Sequence, residues 1–511
     1  GVVKGVGLFV NNGGKINTKN TYVKVKDGSV GVASIGNNSN IDITNGIIDY
    51  EGSGYAVYSD GTGKINLTSG EIILRGKATA LELDLSGTNP ITLTGSKIVV
   101  MSNDAVGVNL KNTGPLDISS LETDIGTALG GVSIVAGTDG SQVFDKYKIA
   151  AVDGGTLNIN ANMDKSDTNT SSAGFFYYRR FLGQRLELNV LNGVEVKSEI
   201  NSSDASTYFK GQVVGLEMSS SNSATSATNA QINLAANSKV MADRTDAGAG
   251  AIGLYMNFGK IDIGAGAKVE VEKGANTVND KGVGIYGVNG STVTNAGDIG
   301  VSGKEAIGIL GMAYREDSLR NPIVDEFGTG GIFTAQGKVN ITNSGSVTLD
   351  GTGSIGIYAD NNNASGTKTG VSVTNTNTGV VTVGASDGSN AAIGIYGKKA
   401  TISNLGKVSV GDGGVAIYAT EGSEITNLGT LDLGADGVGV MADGTSDISA
   451  TAVTLTSNNT GTLGKTGIFY KGTGSENKSI NIAINASALT KGTAVYAENM
   501  NITSSGTLGI G

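Results

Sequence analysis

Apolar and polar residues alternate along this chain in short runs. Thr430-Leu431-Asp432-Leu433 and Lys407-Val408-Ser409-Val410 are examples, and each run is closed by Gly or Asn. A period of two sends successive side chains to opposite faces of a strand and argues against helix. The closing Gly and Asn are the residues that turn a chain through positive φ.

The runs recur in a fixed grammar. The first is a small residue, an aliphatic and often an aromatic: Gly7-Leu8-Phe9, Gly31-Val32-Ala33, Ala56-Val57-Tyr58, Gly284-Ile285-Tyr286, Gly356-Ile357-Tyr358, Gly394-Ile395-Tyr396 and Ala416-Ile417-Tyr418. The second is aliphatic-Thr/Ser-Asn: Ile43-Thr44-Asn45, Val293-Thr294-Asn295, Ile341-Thr342-Asn343, Ile402-Ser403-Asn404 and Ile425-Thr426-Asn427. The third is the alternating run already quoted. Three short strands in a repeat of about 23 residues predict an all-β, right-handed parallel β-helix. Seventeen anchor triplets predict about 17 or more coils, a rod of roughly 80 Å at the spacing of hydrogen-bonded strands. Alternation predicts Val415 and Ile417 inward and Tyr418 outward. The tyrosines at 286, 358, 396 and 418 then form an outer ladder, which either covers a corner or offers a platform to sugar rings. Asn295, Asn343, Asn404 and Asn427 should stack at one turn and bond along the rod. Residues 1–511 read as one continuous rod, cut from a longer one because neither end shows a polar cap.

Composition narrows the chemistry. The chain has 81 glycines in 511 residues, three prolines, no cysteine, histidine or tryptophan, and a net charge of −10. Without histidine there is no Ser-His-Asp site and no imidazole base. Without cysteine there is no disulfide, thiolate metal site or iron–sulfur cluster. Acidic residues are scattered rather than paired on neighbouring strands, as a β-helical polysaccharide enzyme would need, so the reading is non-enzymatic, with no cofactor and no metal. The polar tip 360–366 lacks calcium-loop spacing. An acidic chain without a basic patch argues against nucleic acid.

Two segments break the grammar. Residues 173–185 carry Phe175, Phe176, Tyr177, Tyr178, Arg179, Arg180, Phe181 and Arg185. Residues 311–338 carry Tyr314, Arg315, Asp317, Arg320, Asp325 and Phe327, and Glu316 with Arg320 suits a short surface helix. Five of the seven arginines fall in these segments. Aromatic residues and arginine dominate binding hot spots, so these are the candidate ligand-binding residues. Gly174-Phe175-Phe176-Tyr177 also matches Gly467-Ile468-Phe469-Tyr470, which reads part of the first segment as an ordinary coil.

The motifs Gly282-Val283-Gly284-Ile285-Tyr286-Gly287, Asn340-Ile341-Thr342-Asn343-Ser344-Gly345 and Lys407-Val408-Ser409-Val410-Gly411 resemble the passenger rods of type V autotransporters, and among them the very large outer-membrane adhesins of fusobacteria. The resemblance covers nearly the whole chain outside the two segments. It implies a monomeric passenger exposed on the bacterial surface and held to the outer membrane by a C-terminal barrel absent from this sequence. It also implies partners among host receptors, host glycans or surface proteins of other bacteria. The competing reading is a passive stalk that projects a binding tip located elsewhere.

Overall fold

The structure is a computed structural model that describes residues 5–76, 78–83, 90–101, 106–110, 115–117, 133–136, 150–152, 155–160, 162–167, 173–179, 186–200, 213–220, 230–244, 250–273, 281–288, 290–313, 338–361, 370–457, 465–486 and 492–510. Among these residues the strands form a parallel β-helix with three strands per coil. A representative coil runs through Val415–Thr420, Glu424–Asn427 and Thr430–Leu433. Each strand pairs in parallel with its counterpart one coil away, as in Ile395↔Ile417, Ile402↔Ile425 and Val408↔Leu431. The first strands stack from Val6–Asn11 to Gly492–Glu498 in a 20-stranded sheet that also takes in the early third strands Glu71–Arg75, Lys97–Val100 and Ser133–Ala136, and 11- and 12-stranded sheets hold second and third strands of the later coils. Near the start, the third strand of one coil and the first of the next run together, as in Tyr22–Ile35 and Ile47–Ser59.

The core is the space enclosed by the three sheets. Ile417, Ile425, Leu431 and Leu433 enter it from all three sides and are fully buried. The small residue of the first triplet has a steric cause. A Cβ on Gly394 would stand 2.5 Å from the Ala416 carbonyl oxygen and 2.2 Å from a Val408 methyl. The chain there passes too close to the next coil for a large side chain. The pairing also skips this position, Ile393↔Val415 being followed by Ile395↔Ile417. The strand therefore kinks, and simple alternation fails on one side of it. Ala416 and Ile417 both enter the core, while Val415 is buried outside the core cluster, contrary to the inward placement expected of it.

The second corner carries a buried amide ladder. Asn295 Nδ2 donates to Asn343 Oδ1 at 2.7 Å, Asn343 to Asn375 at 2.8 Å, and Asn375 to Asn404 at 2.7 Å. All four are fully buried, and each amide satisfies the next, as buried polar groups require. One member expected from sequence behaves differently. Asn427 is displaced by a register shift, Ser403 pairing with Asn427 rather than with Thr426. Asn45, of the same motif but not expected in the ladder, is a turn residue with φ of 51°. Asn375 joins the ladder unpredicted. The first corner is held by buried serines: Ser423 Oγ lies 2.8 Å from the Thr420 carbonyl and accepts the Ala400 N–H at 3.1 Å.

Candidate functional site

Phe175–Arg179, from the first candidate segment, lie on the strand Ala173–Arg179, within the sheet rather than on a loop. Phe175 and Tyr177 pair with Leu216 and Met218, both core residues, and Phe176 pairs with Glu217 in the next column. This part of the segment is an ordinary coil. Arg180, Phe181 and Arg185 lie outside the described residues, as do Tyr314, Arg315, Asp317, Arg320, Asp325 and Phe327.

The residues of the two segments that lie outside the description, 180–185 and 314–337, connect equivalent strands. The strand Ala173–Arg179 precedes the second-sheet strand Leu186–Val190, and Ile307–Ala313 precedes Val339–Asn343. Both connections therefore run from the first sheet to the second. The intervening first strands step through Val213–Ser220, Ile252–Asn257 and Val283–Val288. That is four coil steps, roughly 19 Å along the rod. The stack is not disturbed by the longer insertion. Ile307↔Ile355 pairs across it in the first sheet and Thr292↔Asn340 in the second.

The outer tyrosine column lies on the first sheet. Tyr255 and Tyr286 are edge-to-face at 5.4 Å, but both are buried, in a second apolar cluster with Val214, Ile252, Val288 and Leu310. Leu310 interrupts the column before Tyr358. Tyr358 and Tyr396 then stack at 4.7 Å with 23° between their planes, and Tyr418 meets Tyr396 edge-to-face at 5.5 Å. The stacked pair spends one face of each ring on the other. A platform that holds sugars by ring stacking needs free ring faces, so this geometry suits cohesion between coils.

Next to the rings is a small polar cluster. Tyr358 Oη donates to Asp360 Oδ2 at 3.3 Å, and Lys398 Nζ lies 3.8 Å from that oxygen and 3.6 Å from Glu421. Asp360 is only 5% exposed, and burial pushes its carboxyl above the usual carboxylate range. Other carboxylates serve the backbone. Asp60 accepts the N–H groups of Thr62, Gly63 and Gly36. Burial alone would raise its pKa, but these bonds overcome that and hold it at about 2. Asp443 grips Thr445, Ser446 and Glu421 in the same way. This Asp-Gly-Thr corner, shared by Asp60-Gly61-Thr62 and Asp443-Gly444-Thr445, was legible as a repeated tripeptide but escaped the reading by strands. Among the described residues no group of three acidic side chains is placed to hold a metal ion.

No protein family, curated protein or solved structure matches this chain.

Proposed function

We propose that the chain is a segment of a surface-displayed adhesin. In this reading the β-helix is a scaffold, and recognition of a cell-surface protein or glycan is non-catalytic. One observation carries the proposal. Residues 314–337, which carry aromatic residues and arginine, connect a first strand to a second one, and the coils pair across them as if they were not there. An insertion that the stack does not need is the kind of element on which solenoids carry binding. Its residue types are those of interface hot spots. The resemblance to autotransporter passengers agrees with display outside the cell.

The test is adhesion of the purified chain, immobilised on beads, to epithelial cells, immune cells and partner bacteria. Saturable binding is the expected result. Beads that bind none of these surfaces would favour the stalk reading and move recognition to another part of the full protein.

A further inference from the structure

The outer face of the second sheet changes character along the rod. In one coil it carries Lys260 and Asp262, which form an ion pair at 2.5 Å. Among the described residues, the next four strands of this sheet carry no charge on that face. The outward positions there are Thr292 and Thr294, Asn340 and Thr342, Ser372 and Thr374, then Thr401 and Ser403. Their inward neighbours Val293, Ile341, Val373 and Ile402 are core residues. The following coil restores charge at Glu424, which pairs with Thr401.

These eight side chains form a lattice. Thr292, Asn340, Ser372 and Thr401 are in register, and so are Thr294, Thr342, Thr374 and Ser403. Rows are about 4.8 Å apart along the rod, and the two columns about 6.7 Å apart along the strands. All eight are half-buried and bear a hydroxyl or amide. The buried ladder Asn295–Asn343–Asn375–Asn404 occupies the next position on each of the same four strands. It fixes these strands against one another. The lattice and the ladder end together, at the register shift before Asn427.

We propose that this face binds a neutral polysaccharide lying along the rod. The proposal rests on the reading of the rod as a binding scaffold and names a ligand class for it. Three features select the ligand. Absence of charge over four coils, in a chain of net charge −10, disfavours acidic glycans and charged protein surfaces. Absence of aromatic residues and arginine from the face disfavours a protein hot spot. A periodic row of hydroxyl and amide groups on a rigid base complements a ligand that repeats its own hydroxyls, and pre-ordered side chains lower the entropic cost of binding.

The experiment is retention of the purified chain on insoluble cellulose, yeast β-glucan and mannan, with heparin beads as the acidic contrast. Three variants run beside the parent: Thr342→Arg at the centre of the lattice, Thr342→Val as the milder change, and a chain with 314–337 shortened to a two-residue corner. Retention on at least one neutral polysaccharide is expected, with heparin passing through. Thr342→Val should weaken it by about tenfold, the loss of one good contact, and Thr342→Arg by more. The shortened chain should be retained like the parent, even though its adhesion to cells falls. Loss of cell adhesion with polysaccharide retention intact therefore reports on the insertion alone. Retention on no neutral polysaccharide, retention unaffected by both Thr342 variants in folded protein, or retention lost with the insertion would each overturn the proposal.

Discussion

Asn404 Nδ2 donates to the carbonyl of Leu428 at 2.6 Å, and there the buried amide ladder stops. One extra residue in the next coil, Thr426, puts Leu428 rather than Asn427 inside, with Leu428 only 1% exposed. Asn427 turns to Ser403 Oγ at 3.0 Å. Leu405, one coil away, is left 52% exposed beside a groove of about 320 Å³ lined also by Asn427, Thr430 and Thr451.

The ladder predicts a contrast between two asparagines of the same motif. Asn343→Ala leaves the amides of Asn295 and Asn375 without their buried partner and should cost about 2–4 kcal/mol. Asn427→Ala, outside the ladder, should change stability by no more than about 0.5 kcal/mol. Urea midpoints of the two variants decide between them, and equal midpoints would refute the ladder.

The inward face is tested at Ile417, which is fully buried. Ile417→Asp puts a carboxylate among aliphatic side chains and should cost several kcal/mol. Tyr418→Ser, on the outer side of the same strand, should cost much less. An Ile417→Asp variant that melts like the parent would reverse the assignment of faces.

How much of this was legible follows from the physics of each column. The small residue of the first triplet is forced by a backbone approach that recurs among the described coils, as at Gly253, Gly284, Gly308, Gly356 and Gly394, so it is visible in sequence. Asn375 satisfied the same pattern, in Val373-Thr374-Asn375, and could have been found. Asn427 could not, because Ile425-Thr426-Asn427-Leu428-Gly429 and Ile402-Ser403-Asn404-Leu405-Gly406 read alike while a one-residue shift separates their registers. Val415 misled for a similar reason: the kink at the small residue breaks alternation locally. Of the candidate site, Phe175–Arg179 fell within the sheet because aromatic residues occur both in coils and in contacts. The neutral lattice was missed because single threonines and serines carry no signal until register aligns them.

The close approach at the small-residue column predicts that Gly394→Val is poorly tolerated. Its branched side chain would drive into the Ala416 carbonyl and Val408. Overpacking of this kind costs typically about 1–3 kcal/mol. Thermal melting should show a clear loss, whereas a Tm equal to that of the parent would mean the coils are farther apart than described.

The corner carboxylates predict acid sensitivity. Asp60 is held at about 2 against an ordinary 3.8, by bonds that overcome burial. Glu476 is held at about 2 against 4.5, chiefly by the Thr473 hydroxyl and then the Thr473 N–H. Both are depressed in the fold, so their stabilisation is complete above about pH 4.5 and is lost as pH falls from there through 2. Melting temperature should be flat from pH 7 to 5 and drop below 4, with Asp60→Asn flattening part of that drop. A Tm that rises on acidification would contradict the assignment.

The central claim is that a stack indifferent to its insertions carries binding on them. Replacing 314–337 by a two-residue corner tests it in one preparation, by thermal melting and by adhesion of coated beads to cells. The account predicts an unchanged Tm and a marked fall in adhesion. A lowered Tm with adhesion intact would contradict it.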